Sequence, residues 1–187
     1  MKSYIIIILV IIFSIIIFVS IHSSKKTTQR KRLQLYFNMI DNMKPNYNHI
    51  QEMVGDINFY YINLNKTIYR NDYLKSQIQH LQLNNIYRIE GVYGLDVVNG
   101  VYTFSNGTKL FVKSHHTYSN KSELGCILSH FVALYTSYMN GDQYSVILED
   151  DVYLNIIKVW KKSLGDFIDG APNNWKIIQL YESSIID

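Results

Sequence analysis

Three consecutive acids, Glu149, Asp150 and Asp151, stand where an apolar run ends, in the stretch QYSVILEDDVYL. The run Tyr144–Leu148 reads as a buried strand, and open α/β sheets gather ligands at the carboxyl ends of such strands. In extended backbone Glu149 and Asp151 face one side and Asp150 the other, so a turn is needed to aim more than one at a common point. Adjacent carboxylates repel, and a partly buried set is costly unless a cation offsets it. Mg²⁺ or Mn²⁺ would do so with one or two carboxylates, keeping positions for substrate phosphates and neutralising charge on a departing diphosphate. The competing reading is a solvated strand end whose charges serve solubility.

Other chemistry-bearing residues are fewer. Cys126 is the only cysteine, which excludes an intrachain disulfide and a multi-cysteine zinc site, and it reads as a small packing residue rather than a nucleophile. His115 and His116 are adjacent but lie in a polar stretch without an acidic or sulfur partner nearby, so they are not expected to bind metal.

The elements that must position the acids can be read around them. Ile57–Leu64, a nearly continuous apolar and β-favouring run, predicts a buried parallel strand opening the folded region. Tyr69–Asn85 has helical spacing through Tyr73, Leu74, Ile78 and Leu81, and Ile86–Gly94 predicts a second short strand. Strand, helix, strand at this spacing is a βαβ unit and points to an α/β fold. Residues 95–120 read as polar loop. Ser122–Gly141 is the clearest helix, with Ser122 as cap, Glu123 near its positive end and Gly141 as terminator. Its expected apolar face is Leu124, Ile127, Leu128, Phe131, Leu134 or Tyr135, and Tyr138. The remaining stripe, Glu123, Cys126, His130, Ala133 and Ser137, suits the lining of a cleft. Trp175–Tyr181 predicts a last strand.

Upstream, Tyr4–Ile21 carries eighteen residues without a charge, about the minimum for a membrane-spanning helix, and no small-residue cleavage pattern follows it. The chain therefore divides into a membrane anchor at residues 1–24, a basic stem at 25–55, and a folded domain at 56–187. The stem is read as a spacer, with a membrane-surface helix as the alternative. The formal charge of +3 comes largely from Lys25, Lys26, Arg30, Lys31 and Arg32. That cluster argues for a cytoplasmic domain by the positive-inside rule, and the near-neutral remainder argues against a nucleic-acid-binding surface.

The order of three short patterns resembles glycosyltransferase family 25, which includes lipopolysaccharide glycosyltransferases and collagen galactosyltransferases. They are INL with a following arginine (Ile62, Asn63, Leu64, Arg70), GCxxSH with an acid two residues before it (Glu123, Gly125, Cys126, Ser129, His130), and the acid run Glu149, Asp150, Asp151. The resemblance covers about residues 56–181. It implies a GT-A-like, Rossmann-like nucleotide-sugar-binding domain with a mixed sheet, a UDP-sugar donor and Mn²⁺ or Mg²⁺. The product would be a sugar, a hexose, on a hydroxyl of a glycan, lipid or protein. It makes Asp150 and Asp151 the metal ligands, with Glu149 as ligand or outer support, and puts Asn63, Arg70, Glu123 and His130 on the donor side. A surface role for Arg70 and a loop contact for His130 stay open. Family domains continue well past the strand matched by Trp175–Tyr181, so the resemblance also implies a shortened domain, and no catalytic base is assigned. An inactive anchored relative is the alternative, and another Mg²⁺-dependent phosphate-handling enzyme a third.

Overall fold

The computed structural model describes residues 24–112 and 120–179. Two helices, α1 (Ser24–Asn42) and α2 (Tyr47–Val54), lead into β1 (Asn58–Asn63), α3 (Ile68–Leu81) and β2 (Ile86–Glu90). A small hairpin of β3 (Val101–Thr103) and β4 (Lys109–Phe111) precedes α4 (Lys121–Met139), β5 (Ser145–Glu149), a 3₁₀ segment at Leu154–Val159 and α5 (Leu164–Asp169).

The parallel α/β expectation holds. β1 lies between β2 and β5 in a three-stranded sheet and pairs in parallel with both, Ile62 standing opposite Glu149 and Asn63 opposite Glu90. Both faces are covered, which is why β1 and β5 are apolar at successive positions rather than alternating. On one face Phe59, Tyr61, Val146 and Leu148 meet Leu74 and Leu81 of α3, and Ile50, Met53 and Val54 of α2. On the other, Tyr60, Ile89 and Ile147 meet Ala133 of α4.

Several expectations are corrected. The segment read as a spacer is helical, and its later part enters the core through Ile40, Ile50, Met53 and Val54. Two polar anchors hold α1 in place. Asp41 accepts from Tyr153 Oη (2.6 Å) and Asn155 Nδ2 (2.8 Å), while Lys158 Nζ donates to the carbonyls of Ile40 and Met43, both at 3.1 Å. A cation at a helix carboxyl end is favourable, because the last carbonyls lack intrahelical partners.

The helix read from Ser122 is capped by Asn120, whose Oδ1 accepts from Ser122 N at 3.0 Å; Gly141, at φ +77°, follows its end as expected. Its buried face is shifted from the one read: Leu124 is buried and Leu134 packs against the core as expected, but the rest of the large apolar set is not buried. Gly125 and Ser129 are buried against residues 92–94 and Ala133 and Ser137 against the sheet, while Phe131, at 63% exposure, and Tyr135 face solvent. Small residues let the helix lie close. A Cβ on Gly125 would stand 2.6 Å from Val92 O, and one on Gly94 would strike Lys121 O.

The stretch expected to be loop includes the β3–β4 hairpin, with His115 and His116 outside the described residues. β5 is an edge of the described sheet, and residues 175–179 form no strand. Among the described residues no helix is long and apolar enough to cross a membrane; the apolar run Tyr4–Ile21 lies outside them.

Candidate active site

The chain passes from β1 to β2 on one side and reaches β5 on the other, so the strand order reverses at the carboxyl ends of β1 and β5. Open α/β sheets bind ligands at such a reversal. Asn63 ends β1 and Glu149 ends β5, and a turn at residues 150–151 follows, with Val152 N 3.4 Å from Glu149 O. Gln77 of α3 holds the far side of this turn, its Nε2 donating to Val152 O (3.2 Å) and its Oε1 accepting from Leu154 N (2.8 Å).

Asp150 is 8% exposed and fully engaged. Its Oδ2 accepts from Asn63 Nδ2 (2.7 Å) and Thr67 Oγ1 (3.1 Å), and its Oδ1 from Arg70 Nη1 (3.0 Å). Arg88 of β2 braces Asn63 in turn, Nε donating to Asn63 Oδ1 (3.1 Å) and Nη2 to Asn63 O (3.2 Å). The first pattern and the acid run are therefore one bonded unit across β2, β1 and β5. Thr67, Gln77 and Arg88 were not picked out from sequence. Single polar residues have no periodic signal, and only Thr67 lay beside a motif.

The other two acids are less satisfied. Arg70 Nη1 lies 3.7 Å from Asp151 Oδ2, but Asp151 Oδ1 is buried with no hydrogen-bond partner among the described residues. Burial pushes the Asp151 carboxyl above its usual range, against the pull of Arg70 and with the help of Asp150. Burial also raises Glu149, opposed by His130 and aided by Asp151 and Asp150. A buried carboxylate oxygen without a partner suits a cation, and all-oxygen donors suit a hard one. Among the three acids only the Asp151 oxygen is left over for such an ion, since both Asp150 oxygens already accept from Asn63, Thr67 and Arg70.

The three acids do not converge on one point. Glu149 Oε1 instead faces His130 Nε2 of α4 at 3.9 Å. Cys126, read as a packing residue, is exposed one helical turn before His130. Glu123 is exposed in the first turn of α4, further along the same side. Arg70, expected near a nucleotide, is turned onto Asp150, with its side chain still 42% exposed at the crevice. A cavity among the described residues lies elsewhere, at the amino ends of the strands between Gln51, Val54, Ile57, Phe59 and Leu83, away from these acids.

With a parallel sheet and an acid-bearing crevice in place, comparison with known proteins gives the class. The family model of glycosyltransferase family 25 (LPS biosynthesis protein) matches residues 56–186, and the chain belongs to that family. No curated protein and no solved structure matches it.

Proposed function

We propose that this chain moves a sugar, a hexose, from a UDP-sugar to a hydroxyl of a glycan, lipid or protein acceptor, with a divalent ion's help, on a GT-A-like fold. Residues 4–21 would tether it to a membrane as a single span, the basic flank favouring a cytoplasmic domain. Family membership supports a glycosyltransferase in general. The observation that carries the finer reading is the contrast between neighbours, Asp150 locked by three donors and Asp151 holding a buried oxygen with no partner.

Asp151, beside Asp150, would hold Mn²⁺ or Mg²⁺, whose chemistry when bound is to neutralise negative charge on the departing diphosphate. The chain's own residues do the positioning. Asn63 and Thr67 fix the Asp150 carboxylate from the β1 side, so a ligand meets a set geometry at no further ordering cost. Arg70 presents a planar, permanently charged fork at the crevice, suited to phosphate oxygens. Arg88 keeps Asn63 from rotating away. The test is UDP-sugar hydrolysis and transfer by the full-length chain in detergent. Asp151→Asn is expected to lower the metal-dependent rate by about 100-fold or more, the scale of losing one electrostatic stabiliser. An unchanged rate would remove the acids from the reaction.

A further inference from the structure

Gly125 and Ser129 of the GCxxSH pattern are accounted for by packing. Gly125 lets α4 touch residues 92–94, and Ser129 Oγ donates to Gly125 O (2.6 Å) and accepts from Val92 N (2.8 Å). Cys126 and His130 point the other way, and neither role explains them. They meet Glu149 at the end of β5, so that one ligand atom from each of the three lies within 4.8 Å of the others.

The histidine is also oriented. Its Nδ1 lies 2.9 Å from Cys126 O. A carbonyl oxygen only accepts, so Nδ1 carries the proton and Nε2 presents a lone pair in the neutral ring. That lone pair faces Glu149 Oε1, another electron-pair donor, at 3.9 Å. Two such groups face each other comfortably only with a cation or a proton between them. A histidine whose second nitrogen is tied to a backbone carbonyl is the usual arrangement of a metal-bound imidazole.

We infer that Cys126, His130 and Glu149 form a binding site for a borderline-soft divalent ion of the Zn²⁺ or Co²⁺ class, separate from the hard-ion position at Asp150 and Asp151. Thiolate, imidazole and carboxylate together favour such ions over Mg²⁺ or Mn²⁺. Three protein ligands leave a fourth position open, the pattern of zinc sites that meet a ligand or water. Tetrahedral coordination with bonds of about 2.0–2.3 Å puts ligand atoms roughly 3.3–3.6 Å apart, so the groups, now within 4.8 Å of one another, would close by up to about 1.5 Å, with Cys126 Sγ, 3.7 Å from His130 Nδ1 at present, turning toward the Nε2 side. Cys126 supplies the exposed edge, while His130 and Glu149 are three-quarters or so withdrawn from solvent. The acid run is therefore divided, Glu149 serving α4 and Asp150 with Asp151 serving the crevice.

The test is titration of the full-length chain in detergent with Co²⁺, read by thiolate-to-metal charge-transfer absorption in the near ultraviolet. A saturable band is expected, abolished in Cys126→Ser and His130→Ala and weakened in affinity by about 10- to 100-fold in Glu149→Gln. Asp151→Asn should keep the band, which separates this site from the hard-ion position. Circular dichroism shows whether each variant is folded, and Cys126→Ser, at an exposed position, keeps the test decisive if His130→Ala is not. A folded wild-type chain without the band, or a band indifferent to His130→Ala, overturns the inference. A plain His130–Glu149 ion pair would give that first result while leaving Mn²⁺-dependent UDP binding intact.

Discussion

Neighbouring carboxylates in this chain have opposite energetic roles. Asp150 is bonded by Asn63, Thr67 and Arg70, so Asp150→Ala strands buried donors and is expected to cost about 2–3 kcal/mol in urea unfolding. Asp151 has a buried oxygen with no partner, so Asp151→Asn is expected to be neutral or stabilising in metal-free protein. The pH dependence follows from the same feature. Glu149 and Asp151 both titrate above their ordinary values, so the folded state holds protons longer than the unfolded chain does. Their contribution is fully present below the ordinary carboxylate range and is lost as pH rises through the raised values. Metal-free wild type should therefore lose more stability between pH 4 and pH 7, roughly the carboxylate window, than Asp151→Asn does. Equal pH slopes would contradict the burial of Asp151. At this scale the sequence showed where charge gathers and that a turn was needed, but not how the acids would divide. Which carboxylate meets Arg70 and which meets His130 depends on the packing of β1 and α4 beside β5, contacts made across some twenty to eighty residues of chain.

Among the elements, β1 and β5 were legible because burial on both faces leaves an uninterrupted apolar run, a pattern solvated strands do not show. Helix α4 was legible as a helix but misread in orientation. Large apolar residues are read from sequence as the core face, whereas close contact with Tyr60 and Ile147 demands a small residue, Ala133, and Phe131, Tyr135 and Tyr138 go outward while Leu124 stays buried. Close packing makes the correction testable. Ala133→Leu, at a fully buried position, should cost about 1–3 kcal/mol by overpacking, while Phe131→Ala should change stability by less than about 0.5 kcal/mol. Urea midpoints of the two variants decide it, and the reverse ranking would restore the orientation read from sequence. The hairpin went unseen because three-residue strands carry too few side chains to establish a period of two.

For the whole molecule, the folded unit begins earlier than residue 56. Ile40 is fully buried, and Asp41 and the end of α1 are tied to Tyr153, Asn155 and Lys158, so the first helix braces the segment that follows the acids. A chain starting at residue 45 is expected to be less stable than one starting at residue 24 by about 2–5 kcal/mol, the scale of losing one large core side chain. Equal urea midpoints would return α1 to the role of a spacer. The basic, polar composition at residues 24–32 hid this, since the buried contact rests on a few residues at the helix's far end. If the carboxyl ends of β1 and β5 form the donor site proposed, nucleotide binding there depends on the metal. The most direct test is calorimetric titration of the full-length chain in detergent with UDP, with and without Mn²⁺. Binding that needs Mn²⁺ and disappears in Asp151→Asn is the predicted result; a folded protein that binds no UDP in either condition would contradict it.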